Sequence, residues 1–373
     1  MISDKIIIEP KDIDLSKSPL RKTIKYETFV LGAFNPALSR LPNGNLILMV
    51  RVAEALKKPI VGQEIMGLRW DAEKSYCVDK YPLDQVDISD PRVIILKKYL
   101  PTQVLALTSI SWILPVELDA KAQEVVHFHY DKIISAQKSF QEYGVEDPRL
   151  SLIDGKYYMT TCSVSSERQN TTLYSSQDGL NYKLEGVVLD HQNKDMLLFE
   201  GKVNKHFYAL TRPLGDVYFN SPPHSNYLPG PSINMAQSPD SLHWKPCDNA
   251  FIRSPRTKEK SLKIGGGSPP ILTEQGWLIL FHGVEKNKDV GAYKTYWALS
   301  HKDRPWELLY VDMNKAVLEA NPLLTKHLEE NIYLTQVVFT TGILAQGEEY
   351  IIASGELDLC CRITKISKDY FLQ

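Results

Sequence analysis

The chain has few cysteines, no long apolar run and no excess of charge of either sign, and each shortage closes off a class of protein. Its five cysteines, Cys77, Cys162, Cys247, Cys360 and Cys361, are odd in number and lack CxxC spacing. Neither a disulfide framework nor a zinc site is expected, and a reducing cytoplasm fits best. The adjacent Cys360 and Cys361 would face opposite sides of a strand as two reduced thiols. Apolar runs such as Val104 to Leu107 and Trp277 to Phe281 have the length of strands, well short of the ~18 residues a membrane helix needs. Charges interrupt the opening Met-Ile-Ser-Asp-Lys-Ile-Ile-Ile-Glu-Pro, which is too brief for a signal-peptide core. A soluble, cytoplasmic chain without membrane contact is expected. Lysine plus arginine (43) nearly balance aspartate plus glutamate (45), which argues against a nucleic-acid partner.

What is present is an ordinary globular composition, 43% hydrophobic and 24% charged over 373 residues. The rule of roughly 150 residues per domain suggests two domains, but large all-β folds break that rule. Short runs of Tyr, Val, Ile, Leu and Thr are bounded by Asn-Gly, Asp-Gly, Gln-Gly and Pro, a pattern of strands. Helices are expected only at the periphery, around Pro322 to Glu330, Asp131 to Gln141 and Lys11 to Leu20.

The turn signals recur. Asn43-Gly44, Asp154-Gly155, Asn204-Lys205, Gln275-Gly276 and Gln346-Gly347 each precede an apolar strand, and two units close alike in Ser175 to Tyr182 and Ser238 to Trp244. Spacings of about 50 to 70 residues with several strands per unit match the blades of a β-propeller. Just upstream of each repeated strand sits a segment of unusual chemistry, which in a propeller would converge at one end of the central channel.

Glu146-Asp147-Pro148-Arg149 is the most pointed of these. A carboxylate with a constrained backbone and a cation beside it suits acid–base work, although Asp-Pro is also a common structural turn, and the chain repeats it in Asp90-Pro91-Arg92. Lys194, Arg212, Lys263 and His282 come from three successive units and would together make a pocket for one small oxyanion such as phosphate. Gly265-Gly266-Gly267 lacks the order of a nucleotide loop. His127 and His129 alternate on a strand without a third ligand at metal-site spacing, so no metal is expected. Tyr143, Trp244, Trp277, Trp297 and Phe281 suit stacking on sugar faces or packing in a core.

Taken together, Phe34-Asn35-Pro36-Ala37, Tyr143 to Arg149, Asn193 to Phe199, Thr211-Arg212-Pro213, Lys263 to Gly267, Gly276 to Val284, Val337-Val338-Phe339 and Ser354 to Asp358 run in an order that resembles glycoside hydrolase family 130, the mannoside phosphorylases and related β-mannosidases. The resemblance implies one five-bladed β-propeller domain over 1–373, with a 1–25 N-terminal extension and an elaborated insert at 85–141. It implies Asp147 as the catalytic acid, Lys194, Arg212, Lys263 and His282 on inorganic phosphate, and Asn35, Arg51, Asp195 and Asp358 around the sugar, with Tyr143 beside them. The implied reaction is an inverting, glycosyl-transferring phosphorolysis of a β-mannoside to α-mannose 1-phosphate, with phosphate as co-substrate and no cofactor. A carbohydrate and phosphate are the expected partners, and a homo-oligomer is open. Inverting hydrolysis needs a second carboxylate roughly 6.5–9.5 Å from the acid, and Glu146, Asp195, Glu356 and Asp358 are at hand for it. A β-mannosidase, or a non-catalytic carbohydrate-binding propeller, are the alternatives. Departures from the family pattern are Glu356, expected to repel phosphate, and Trp112, where His and Arg would follow on the side of the leaving sugar.

Overall fold

A computed structural model describes residues 2–99, 104–215, 217–230, 232–256, 260–285 and 291–371. The regular structure of the described residues is mostly β-strand, arranged as antiparallel sheets of which none closes on itself. In chain order, sheet 1 holds Thr28–Arg40, Leu46–Leu56, Ser109–Leu118 and Val125–Phe128, and sheet 2 holds Val145–Ile153, Lys156–Val164, Gln169–Ser176 and Lys183–Leu189. Sheet 3 holds Asn193–Leu198, Phe207–Pro213, Ile233–Ser238 and Lys245–Ile252. Sheet 4 holds Lys260–Gly266, Ile271–Thr273, Gly276–Glu285, Ala292–Ser300 and Leu308–Asp312. Sheet 5 holds Val338–Gln346, Glu349–Glu356 and Cys360–Ser367, and its edge is completed by Ser3–Ile8, with Ser3 opposite Lys365. The two ends of the chain therefore share one sheet, and the expected 1–25 extension is partly a structural strand.

The recurring turn signals join the strands they were expected to join. Asp154 and Gly155 have φ of 51° and 75°, and Asn204 and Lys205 of 50° and 68°. Two successive positive values are what a tight hairpin turn matching the strand twist requires. Apolar residues alternate off these strands into five clusters, each shared by two sheets. Ala37, Met49, Leu150 and Met159 fill the space between sheets 1 and 2, and Ile153, Met196, Leu198 and Phe207 that between 2 and 3. Leu197, Leu210, Ile264 and Ile279 join 3 and 4, Leu280, Val338 and Ile352 join 4 and 5, and Leu38, Leu48, Ile351 and Ile363 join 5 and 1. Trp277, Phe281 and Trp297 belong to these clusters, and Trp244 packs on one of them. Their faces are spent on the core.

Two expectations change. Ser109–Leu118 pairs directly with Leu46–Leu56, Ala55 lying opposite Ser109, so residues 57–108 are the excursion and 109–128 belong to sheet 1; the insert expected at 85–141 straddles that boundary. The excursion forms two small sheets, Ile60–Val61 with Glu64–Asp71 and Ser75–Pro82, and Val86–Asp87 with Val93–Leu96 and Leu105–Leu107; positions 100–103 lie outside the described residues. Of the expected helices, the first turn of Pro322 to Glu330 is α-helical and the rest 3-10, whereas Lys11 to Leu20 and Asp131 to Gln141 contain only separate 3-10 turns. Near the N-terminus the Asp14 and Ser18 side chains accept from Ser16 N and Leu20 N. These short polar side chains take backbone donors that a continuous helix would use.

Candidate active site

The first strands of sheets 1, 2 and 3 break register at equivalent places, between Phe34 and Ala37, Glu146 and Arg149, and Lys194 and Leu197. Inside each break sits one non-glycine residue with positive φ, Asn35 (48°), Asp147 (48°) and Asp195 (56°). Asn and Asp tolerate this left-handed region, which costs other L-residues roughly 1–2 kcal/mol, and a bulge re-aims the side chain it carries. Sheet 5 contributes a fourth, Asp358 (φ 51°), in a turn closed by Leu359 N donating to Glu356 O over 3.0 Å. The turn rests on sheet 1, Ala33 N donating to Leu359 O over 2.9 Å. Glycine is required at 355, where a Cβ would collide with Asn35 Oδ1.

Asp147 is buried and held on two sides. Asn35 Nδ2 donates to its Oδ1 over 2.9 Å, and Arg51 Nη1 to the same oxygen over 2.8 Å. Arg51 Nη2 binds Glu146 Oε1 at 2.7 Å, its Nε donates to Ser111 Oγ at 3.0 Å, and its guanidinium lies 4.9 Å from the Phe34 ring centre. Arg149 fixes the backbone beneath, its Nη1 donating to Asp147 O over 2.9 Å and its Nε to Gly267 O over 2.6 Å. Burial pushes the Asp147 carboxyl upward, but the charges of Arg51, Lys194 and Arg149 outweigh it and hold the group well below the usual carboxylate range. Asp358 goes the other way: burial, joined by the charge of Asp147 and only partly opposed by Arg51, pushes it up to about 6. Two carboxyls near one arginine are thus shifted in opposite directions.

The basic residues converge as well. Lys263 is pushed down by burial and by the charges of Arg212, Arg92 and Lys194, which places these four cations in one field. Lys194 stays charged despite burial, with Asp147 and Asp195 among the groups that favour its ammonium. His282 differs from the expectation of a cation. Burial, with the charges of Arg212 and Arg149, pushes it down to about 3, so the ring is neutral. Its Nδ1 lies 3.2 Å from Gly266 O and its Nε2 3.2 Å from Arg212 Nη1. The neutral tautomer that satisfies both donates from Nδ1 and accepts at Nε2. The glycine run makes room for this pair: a Cβ at Gly265 would come within 2.5 Å of His282 Cε1 and 2.8 Å of Arg212 Cδ.

Asp195 lies between two arginines, 3.2 Å from Arg212 Nε and 3.6 Å from Arg149 Nη2, so it is a counter-ion for the basic cluster. Tyr143 packs among Ile65, Val86, Ile94 and Ala106 of the excursion and holds that element down. Glu356 does not face the cluster. Arg362 Nη1 donates to it at 2.8 Å, Asn321 N also donates to it, and Arg362 continues to Asp4 through two 2.7 Å bonds. A neutralised, fully buried carboxylate does not repel phosphate, and that expectation falls. Sequence reasoning missed Arg92 and Tyr333 at this end of the molecule; both lie in the electrostatic field of Asp358. The signal for Arg92 was the second Asp-Pro-Arg, which reads as a turn.

All five cysteines are free, and among the described residues no group of three or more His, Cys, Asp or Glu is placed to hold a metal. His129 instead lies 3.1 Å from Glu117. No helix among the described residues is long and apolar enough to cross a membrane.

A family described as beta-1,4-mannooligosaccharide phosphorylase matches residues 109–373. A beta-1,2-mannobiose phosphorylase of Listeria innocua serovar 6a is 30% identical over 339 residues, 88% of this chain and 87% of that protein. A 1,2-beta-oligomannan phosphorylase of Thermoanaerobacter sp. is 29% identical over 61% of this chain and 70% of its own length. The solved structure of the Listeria innocua enzyme in complex with beta-1,2-mannobiose superposes with a TM-score of 0.80 at 25% identity, covering 100% of this chain and 98% of that one. By a match that takes in most of its length, the chain belongs to glycoside hydrolase family 130.

Proposed function

We propose that the chain is an inverting phosphorylase that cleaves β-mannosides with inorganic phosphate, giving α-mannose 1-phosphate and a free sugar. The names of the relatives favour a β-1,2-linked mannobiose or short oligomannan as substrate. The observation that carries the reading is the shared field of Lys194, Arg212 and Lys263 beside the buried carboxylate of Asp147, which Arg51 pairs. Such a cluster suits one dianion. Asp195 is committed to Arg149 and Arg212 and Glu356 to Arg362, while Glu146 shares Arg51 with Asp147. Asp358, pushed up to about 6, is ionised at neutral pH and is the carboxylate a hydrolase would use as base. A hydrolase would need one of them as an ionised base for water, whereas phosphate arrives as its own nucleophile.

In the reaction a phosphate oxygen attacks C1 from the face opposite the leaving sugar, the C1–O bond breaks with its electron pair on the glycosidic oxygen, and that oxygen takes a proton from Asp147, relayed through a mannosyl hydroxyl. Asp147 is ionised while the cations around it are uncompensated. Phosphate entering beside Lys194 and Arg212 would add negative charge, which raises a neighbouring carboxyl and readies it to hold the proton. His282 keeps Arg212 aimed, and Asn35, Arg51 and Asp358 would bind mannosyl hydroxyls. We take the five sheets as blades of one five-bladed propeller; the five inter-sheet clusters, including that between sheets 5 and 1, and the joining of Ser3–Ile8 to the last sheet support this.

A phosphate titration at fixed β-1,2-mannobiose tests the function. The rate is expected to rise from near zero and saturate, with Arg212→Ala moving half-saturation upward; a rate indifferent to phosphate would transfer the reaction to hydrolysis.

A further inference from the structure

The second Asp-Pro-Arg belongs to no strand pair of the five large sheets. It sits in the excursion as a turn between Val86–Asp87 and Val93–Leu96, tied by Thr108 N donating to Arg92 O (3.2 Å) and Thr108 Oγ1 to Pro91 O (2.8 Å). Thr108 directly precedes Ser109–Leu118, the strand whose Ser111 accepts from Arg51. The other side of the excursion is anchored by Tyr143, four residues before Asp147. This element is therefore fastened at two points to the strands that carry the reacting groups.

Asp90 and Arg92 form a fork-to-fork pair. Arg92 Nε and Nη2 donate to Asp90 Oδ1 and Oδ2 over 3.0 and 2.7 Å, and Arg92 N donates to the same Oδ1 over 2.9 Å. The pair is preorganised yet accessible, with side chains 34% and 47% exposed. Asp358 and Tyr333 also act on Arg92, and Lys263 lies in its field. The guanidinium thus shares a field both with Asp358, proposed on the sugar, and with Lys263, proposed on the phosphate.

We propose that the Asp90–Arg92 pair binds the hydroxyls of the leaving-group sugar. This rests on the phosphorylase reading. A rigid carboxylate and guanidinium side by side offer acceptors and donors at the spacing of vicinal hydroxyls, the pattern by which polar sites recognise a sugar. In the reverse reaction the same pair receives the acceptor sugar, while the mannosyl phosphate is held by the deeper cluster.

The test is kinetics in the synthetic direction, with mannose as acceptor and α-mannose 1-phosphate as donor, on the wild-type chain, Arg92→Ala, Asp90→Ala and Arg92→Lys. Arg92→Ala and Asp90→Ala should raise the KM for mannose about 10- to 100-fold while the donor KM moves by less than about twofold. Arg92→Lys should recover only part of the loss, because an ammonium lacks the fork. An unchanged acceptor KM, or a rise confined to the donor or to phosphate, overturns the proposal. A wild-type chain that makes no disaccharide from these substrates contradicts the phosphorylase reading itself, so the two failures are told apart.

Discussion

Asp-Pro-Arg occurs twice, and the two copies show how little a tripeptide decides alone. At 147–149 the aspartate lies in a β-bulge with φ 48°, buried against Arg51 and Asn35, and the arginine is 1% exposed with its donors on the carbonyls beneath. At 90–92 the arginine folds back on its own aspartate at the surface. The first copy follows a strand start whose partner places Cys162 opposite Glu146, so sheet pairing forces the bulge and turns the carboxylate inward. The second has two-residue and four-residue strands around it, and nothing draws its side chains into a core. Position in the sheet, not sequence, separates a carboxylate buried in a bulge from one at the surface.

The comparison breaks hardest at Asp147. Asp147→Asn should cut phosphorolysis by about 1,000-fold, against about tenfold for Asp90→Asn, which keeps the turn and loses one charged acceptor; steady-state rates on β-1,2-mannobiose check both. Comparable losses in the two variants would erase the distinction. Next comes Arg149→Met, expected to lower unfolding free energy by about 3–5 kcal/mol because it leaves two buried carbonyls without their donor and takes away one of the two arginines beside Asp195. Arg92→Ala should stay within about 0.5 kcal/mol, and urea denaturation reads both. Within the basic cluster, Arg212→Ala and Lys194→Ala should raise half-saturating phosphate about 10- to 100-fold, and His282→Ala by less, since its neutral ring acts through Arg212.

The smallest effects are in the pH dependence of stability, where the two site carboxyls have opposite signs. Asp147, held below its ordinary range, contributes stability above its unfolded value that is lost as pH falls below about 4. Asp358, pushed up to about 6, binds its proton more tightly when folded, so its contribution is full below about pH 4 and is lost as pH rises to about 6. Asp147→Asn should therefore flatten the acid limb, and Asp358→Asn the stretch from about pH 4 to 6. Melting curves across pH separate them.

Much of this was legible in the residues themselves. Asp154-Gly155 and Asn204-Lys205 announce turns because few other residues accept two positive φ values, and Asn35-Pro36 and Asp147-Pro148 stand out because Asn and Asp tolerate the bulge. The edges of the excursion were not legible, since the strands at 46–56 and 109–118 find each other across 52 intervening residues (57–108) and nothing local marks that pairing. The neutrality of His282 depends on burial beside Arg212, and the fate of Glu356 on an arginine brought to it by strand pairing and shared with the N-terminal Asp4. Tyr143 was read as a sugar contact because its burial under the excursion is a tertiary fact.

In the proposed reaction the cluster around Lys194, Arg212 and Lys263 makes phosphate, not water, the acceptor of the mannosyl group. Proton and phosphorus NMR of β-1,2-mannobiose incubated with the protein, with and without phosphate, tests it directly. α-Configured mannose 1-phosphate and mannose are expected in equal amounts, appearing only when phosphate is present. Two equivalents of free mannose at the same rate in both samples would contradict it.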